Sequence, residues 1–410
     1  MFARKVIQFS APTLARANFF SSVSTPTINQ GLEGILIAET AISNVDGKKG
    51  ELIYAGFLLE EVIARKSSYE DVLYLLLRKK FPTEHEGKEF SAELANRRKL
   101  SKEIFSLVDQ LPNDIDYMDA LRTGMSALGH EIDTAWPPTE DQTMSIVAKA
   151  PTILSQVYRK KMNLPTVQPL SNLSHVANYM HMLTGKIPVS IHDAAYIRAL
   201  EVYFITTIEH GMNASTFTAR VSTSTETDML SAIVAAISTL KGPLHGGAPS
   251  EVDEMLDEIG SIENAEPWLR NAIESGNKLM GFGHRVYKTY DPRAKALQDV
   301  VATLPSDNNK QLELSRHVEE VAVRLLQEYK PGRNLYPNVE FGAAAVLRAV
   351  GLPKELYPAT FAISRVGGWC THVLEQSKKN RLMRPSAVYT GMWPAASKVE
   401  DKKVIPIAKI

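Results

Sequence analysis

Residues 228–249 read DMLSAIVAAISTLKGPLHGGAP, and the reading of that stretch decides the fold class. Asp228 stands where an N-cap belongs, directly before an apolar run that holds neither glycine nor proline. Lys-Gly-Pro at 241–243 closes the run, since a cation suits a helix C-terminus and the next two residues stop a helix. The run is a helix. After it comes a glycine-rich turn that carries His245.

Helical periodicity governs most of the chain on either side. In LELSRHVEEVAVRLLQEY, 312–329, Leu314, Val318, Val321, Leu325 and Tyr329 recur at spacings of three and four. Segments 69–78 and 118–128 behave alike, and prolines punctuate such runs in FPT, LPND, WPP and KGP. Residues 31–58 read differently: ILIAETAIS and ELIYAGF flank VDGKKG, whose Asp-Gly and second glycine are hairpin chemistry. With no internal repeat and no βαβ alternation, the expected fold is mainly α with a small N-terminal β element. Glycine clusters at 241–249 and 279–285 bracket an acidic helical stretch. Residues 247–346 are therefore expected to form a smaller lobe set into a larger one, made of 28–246 and 347–410.

Composition removes several function classes. The 410 residues carry 46 lysines and arginines against 46 aspartates and glutamates, so no global basic field draws in nucleic acid or anionic lipid. A single cysteine, Cys370, excludes an intramolecular disulfide and any CxxC site. No apolar run reaches the roughly 18 residues of a membrane span. The first 27 residues hold Arg4, Lys5 and Arg16, several serines and no acid, which is the make-up of a mitochondrial transit peptide. A mitochondrial matrix location is expected from it, with the peroxisome second on the C-terminal AKI.

Candidate chemistry sits on residues beside glycine. His210 lies in IEHGMNASTFTAR, His245 in KGPLHGGA and His284 in GFGHRVYKTYDPR, and glycine lets a ligand approach closely. None of the three has HxH, HxxxH or HExxH spacing, so no metal is expected. GxSxG and GxxxxGK[ST] are absent, and GFG before His284 is not a dinucleotide fingerprint. Arg293, Arg365 and Arg384 offer planar forks that would hold a di- or tricarboxylate if they converged, although each also reads as a surface charge or a helix cap. Glu340 is the lone acid in the apolar stretch YPNVEFGAAAVLRAVG, 336–351, where first-turn capping behind Asn338 accounts for it as readily as catalysis. Histidines, arginines and a carboxylate without a metal fit proton abstraction beside a carbonyl.

GPLHGGAPSEV and GFGHRVYKTYDPRAKAL, with GWCTHVLEQ and RLMRPSAVYTG, resemble the citrate synthase family, short bacterial-type branch, including the 2-methylcitrate synthases. The likeness runs from residue 31 to residue 391. It implies a two-domain helical homodimer that condenses an acyl-CoA with oxaloacetate and then hydrolyses the thioester, an acyltransferase that turns acyl into alkyl. No tightly bound cofactor is implied, with coenzyme A as co-substrate. It further implies His245 stabilising the enol, His284 protonating the oxaloacetate carbonyl and Glu340 as base. His210, Arg293 and Arg365 match oxaloacetate ligands, Asn213 would help to orient them, and Arg384 would reach in from the partner subunit. Coenzyme A would lie along Gly281 and Gly283, with Lys288 on a phosphate.

Three departures from the family pattern stand out. Glu340 replaces aspartate, and its extra methylene shifts the carboxylate by an amount that can cost about a hundredfold in rate. Gly342-Ala343 replaces Tyr-Ser, and YAGF at 54–57 replaces YRGY. The first two together suggest a site repacked for a bulkier acyl chain, a 2-alkylcitrate synthase. A weakened relative kept for binding is the third possibility.

Overall fold

A computed structural model describes residues 28–246, 248–284, 286–305, 310–333 and 335–392. The transit segment expected over 1–27 and the terminal AKI fall outside them. The chain divides into two units, 1–39 and 40–410. Among its described residues the first holds one 3-10 turn, Gln30–Leu32.

The second unit opens with three antiparallel strands in chain order, β1 (Ser43–Asp46), β2 (Glu51–Tyr54) and β3 (Phe57–Leu58). Asp46 accepts from the backbone N–H groups of Lys48 and Lys49 at 3.0 Å each, and Gly50 takes the positive φ of 74° that the turn requires. Of the strand expected over 35–43 only Ser43 is in one: β1 lies further on, where Ser43–Asp46 pairs with Glu51–Tyr54 across the turn.

Sixteen helices follow among the described residues. They are α1 (Leu59–Ala64), α2 (Tyr69–Arg78), α3 (Glu84–Asn96), α4 (Lys102–Gln110), α5 (Tyr117–Ala127), α6 (Glu140–Lys161), α7 (His175–Thr184) and α8 (Ile191–Thr207). The chain goes on through α9 (Ala214–Ser224), α10 (Met229–Leu240), α11 (Ala248–Ile259), α12 (Ile262–Glu274), α13 (Pro292–Ala302), α14 (Lys310–Tyr329), α15 (Val339–Ala349) and α16 (Tyr357–Lys378). Asp228 caps α10 by accepting from Ser231 N at 2.8 Å, and Lys241 follows as its C-cap. Mainly α with a small β element is the fold expected from the sequence.

Two apolar cores organise these helices. The larger draws on α2, α5, α6, α8, α10 and α16, with Trp369 and Phe204 fully buried. The smaller is built by Val252, Leu256, Leu269, Ile273, Val318 and Leu325 of α11, α12 and α14. Helix α15 lies between them: Val339, Ala343, Val346 and Leu347 pack into the first core, Phe341 and Ala344 into the second. Burying each such side chain contributes about 1.5–3 kcal/mol for the larger ones, so the helix is pinned on two faces. A Cβ on Gly342 would come within 2.9 Å of Leu297 Cβ, so glycine here lets α15 lie close against α13. An acid at the N-terminus of such a helix has nowhere to go but the seam between the cores.

Candidate active site

Two backbone devices fix the protons of His245 and His284 in opposite ways. His284 Nδ1 accepts the N–H groups of Val286 at 3.0 Å and Tyr287 at 3.1 Å. Its proton therefore sits on Nε2, which lies 3.3 Å from an Arg293 guanidinium nitrogen. Two N–H donors side by side suit one acceptor oxygen between them. His245 is the reverse: its Nε2 accepts the N–H of Ser215 at 3.3 Å, leaving the proton on Nδ1. Burial, and then the charge of Arg365, holds His245 down at about 4, and burial with Arg293 does the same for His284. Both rings are neutral donors at neutral pH.

Ser215 is braced in turn. Trp369 Nε1–H donates to its hydroxyl oxygen at 3.1 Å, while Asn213 Oδ1 and His245 Nε2 compete for its proton at 2.8 and 2.9 Å. Asn213 caps α9 by accepting from Thr216 N at 3.1 Å, so the start of α9 places the group that orients His245. His210 follows the end of α8, its Nε2 3.2 Å from the Tyr287 hydroxyl and its ring 5.6 Å from that of His284. Burial first, then Arg293, keeps His210 uncharged.

The two arginines differ in their partners. Arg293, 2% exposed, is held bidentate by Asp291, the N-cap of α13, at 3.0 and 2.8 Å. Arg365 on α16, 3% exposed, donates Nε–H to Thr207 O at 2.9 Å and lies 4.1 Å above the Phe361 ring. It has no carboxylate in ion-pair reach among the described residues, and burial followed by Arg293 lowers it to about 10. A buried cation without a counter-ion is a receptor for an anion.

Glu340 faces the same cluster. Asn338 caps α15 by accepting from Glu340 N at 3.1 Å and Phe341 N at 3.4 Å, and its amide donates to Gly283 O at 3.0 Å. Gly283 N–H to Tyr336 O and Asn338 N–H to Gly281 O, at 2.8 and 2.9 Å, tie the His284 loop to the start of the helix. Glu340 Oε2 is buried without a hydrogen-bond partner. Burial pushes its carboxyl above the usual range, opposed by Arg293 and Arg365. The backbone N–H of Glu340 is taken up by the cap while its carboxylate oxygen stays unpartnered, so capping does not exhaust the residue.

His210, Asn213, His245, His284, Arg293, Arg365 and Glu340 are thus brought to one cluster. Gly281 and Gly283 take φ values of 81° and 83°. A Cβ on Gly281 would meet Phe341 at 2.9 Å, so packing as well as access demands that glycine. Lys288 is exposed and lines, with Gly283, His284, Tyr287 and Arg333, a cavity of about 280 Å³. Arg384 is not brought in: it is exposed in the extended segment beyond α16. The space expected from Gly342-Ala343 does not open beside the acid either, because Leu297 fills it and Ala343 is 2% exposed. Sequence reasoning missed Ser215, Tyr287, Asp291 and Arg333. Only Asp291 carried a signal, an Asp-Pro helix start.

A sequence profile described as "Citrate synthase, C-terminal domain" matches residues 31–386. The chain is 36% identical over 370 residues to the citrate synthase of Deinococcus radiodurans, covering 89% of this chain and 96% of that one. It is 35% identical over 373 residues, 89% and 91% of the two chains, to the 2-methylcitrate synthase of Mycobacterium tuberculosis. A solved ternary complex of carboxymethyl coenzyme A and oxaloacetate with the citrate synthase of the archaeon Thermoplasma acidophilum superposes with a TM-score of 0.81 at 33% identity, covering 93% of this chain and 99% of that one. These relatives are bacterial and archaeal proteins, which corrects the location. The mitochondrial matrix, the transit-peptide reading of residues 1–27 and the peroxisomal second are not carried forward.

Proposed function

The chain belongs to the citrate synthase family, and from that premise we propose how its residues divide the work of condensing an acyl-CoA with oxaloacetate. It is an acyl-transferring condensing enzyme with coenzyme A as co-substrate. Oxaloacetate lies with its carboxylates on Arg365, Arg293 and His210. Its ketone oxygen sits between His284 Nε2–H and the adjacent Arg293 nitrogen. Glu340 takes the α-proton of the thioester while His245 Nδ1–H donates to the thioester oxygen, so the enol forms as a neutral species. The enol carbon then bonds to the ketone carbon as the enol proton returns to His245, the ketone oxygen takes its proton from His284, and the proton held by Glu340 replaces the one His284 gave up. Water cleaves the thioester, releasing coenzyme A and leaving the acyl group as an alkyl substituent on the new hydroxy acid.

One observation carries this assignment: backbone N–H groups lock the two histidines with protons on opposite ring nitrogens. Each neutral donor then serves one reactant. Acetyl-CoA is the expected donor, giving citrate. Propionyl-CoA is the second reading, favoured by the 2-methylcitrate synthase relative rather than by Gly342. Thiol release with oxaloacetate and acetyl-, propionyl- or hexanoyl-CoA tests both. Acetyl-CoA turning over fastest supports the first; no release from any of them, with oxaloacetate and coenzyme A still bound, would reduce the chain to a binding relative.

We further infer that 247–346 closes over the larger lobe, which the smaller apolar core of α11, α12 and α14 supports, although α13 packs into the larger core. Arg384 is assigned to the partner's site in a homodimer, a reading its exposure supports. Sedimentation of the purified chain, and restoration of activity on mixing Arg384→Ala with His284→Ala, test it. A fully active monomer would end it. Coenzyme A is placed on Gly281, Gly283 and Lys288, with Arg333 a further phosphate contact.

A further inference from the structure

Immediately before His210 stands Glu209, 1% exposed, with its carboxylate fully engaged. Its Oε1 accepts from Ser43 Oγ at 2.8 Å and from Gly211 N–H at 2.6 Å, and both oxygens lie 3.0–3.1 Å from His372 Nε2. The backbone oxygen of Glu209 accepts the Tyr54 hydroxyl at 2.9 Å. His372, fully buried on α16, turns its Nδ1 to Arg220, whose Nε and terminal nitrogen donate at 2.9 and 2.8 Å. Arg220 continues to Gln376 Oε1 at 3.2 Å and to Glu375, which accepts Ala41 N–H at 2.8 Å.

Every proton in this chain has a forced position. Arg220 can only donate, so His372 Nδ1 must accept and Nε2 must carry the proton to Glu209. Glu209 therefore stays ionised in the core, consistent with its lowered carboxyl range: burial opposes the charge, and His372 overcomes it. The loop 209–213 cannot slide away, since Gly368 of α16 presses on Ile208 O and Glu209 with no room for a Cβ. The same carboxylate is a fixed negative charge within electrostatic reach of Arg365, which lacks an ion-pair partner of its own.

We propose that Glu209 and His372 are positioning residues of the condensation, a buried relay anchored by Arg220 that holds the His210 loop in place for the incoming dicarboxylate. This rests on the assignment of His210 to oxaloacetate. The relay touches no reacting atom and acts on only one of the two substrates.

Steady-state kinetics of His372→Leu, His372→Gln, Glu209→Gln and His210→Ala test it, each assayed well below its own melting temperature. Leucine breaks the charge-assisted link, so KM for oxaloacetate should rise roughly tenfold while KM for acyl-CoA stays within about twofold. Glutamine at 372 supplies one acceptor for Arg220 and one donor for Glu209, and should restore most of the affinity. Glu209→Gln sets an amide donor against the Nε2–H of His372 and reads the same loss should the leucine variant fail to fold. A lowered melting temperature with unchanged KM for oxaloacetate in His372→Leu and Glu209→Gln, while His210→Ala raises that KM, would overturn the relay alone. If His210→Ala leaves it unchanged as well, the assignment of His210 falls and takes the relay with it.

Discussion

The cluster has two sides, and they are built by different means. One side is the end of α8, the start of α9 and the middle of α16, which hold His210, Ser215 and Arg365. Here a buried polar chain runs behind the cluster, from Glu375 through Arg220 and His372 to Glu209. The other side is the loop 281–291 with the starts of α13 and α15, which hold His284, Arg293 and Glu340. Backbone hydrogen bonds, glycine contacts and one Asp-Arg pair secure it. On the reading proposed above, a carboxylate receptor faces a jaw that carries His284 and Glu340, with Arg293 of the jaw shared between binding and chemistry. Binding and chemistry should therefore separate under mutation: changes at His210 and Arg365 move KM, and changes at His284 and Glu340 move kcat.

Glu340→Gln should break the jaw most severely. An amide of the same size accepts no proton, and general-base catalysis is worth roughly 10²–10⁴-fold, so kcat should fall by about a thousandfold with KM for oxaloacetate little changed. A variant retaining a tenth of the activity would remove Glu340 from the mechanism. The wild-type pH profile sharpens the point. With the carboxyl held above its ordinary value, kcat/KM should rise with pH along an acid limb displaced upward from 4.5. Both histidines have fallen to about 4, so no falling limb should appear between about pH 5 and about pH 8. A falling limb there would mean that a charged imidazole takes part.

The receptor side is next. Arg365→Lys keeps the charge but loses the fork and the Nε–H bond to Thr207. With charge-assisted hydrogen bonds worth about 1.5–3 kcal/mol, KM for oxaloacetate should rise roughly ten- to a hundredfold. Measured kcat should change far less. Equal losses in both constants would dissolve the distinction between receptor and jaw.

Gly47→Ala probes the jaw from outside the cluster. The hairpin turn between β1 and β2 lies against the His284 loop: Lys288 N–H donates to Gly47 O at 2.8 Å, and a Cβ on Gly47 would collide with the Val286 carbonyl. Val286 N–H is one of the two donors that set the His284 tautomer. Displacing it should lower kcat by about tenfold, in line with the sensitivity of reacting groups to small misplacements. Unchanged kcat with a lowered melting temperature would make the hairpin a purely structural brace.

The same contrast explains what could be read from the chain. Helix α10 was legible because its signals are local, an aspartate at one end and Lys-Gly-Pro at the other. His210, His245 and His284 were legible because each abuts glycine, Arg293 because the block GFGHRVYKTYDPRAKAL carries it, and Arg365 as an arginine fork suited to a carboxylate. Gly342 was misread as vacated space. Its meaning lies in Leu297, 45 positions earlier, which only the crossing of α13 and α15 brings near. Ser215 looked like any small residue in a first helical turn. Arg384 stays outside the cluster, exposed in the segment beyond α16.

Ser215→Ala should give the smallest effect, and the most discriminating. Its backbone N–H, which no side-chain change removes, sets the His245 tautomer at 3.3 Å. The hydroxyl adds a second contact at 2.9 Å and ties the ring to Trp369 and Asn213. Losing it costs about one ordinary hydrogen bond, near 1 kcal/mol, so kcat should drop by roughly fivefold with both KM values steady. A loss of about a hundredfold or more would mean that the hydroxyl, not the backbone, holds the proton on Nδ1. Ser215 sits on the receptor side and orients a histidine of the chemistry, so its mutation should register in kcat while its neighbours register in KM. That reversal, at one residue, marks where the receptor ends and the reacting groups begin.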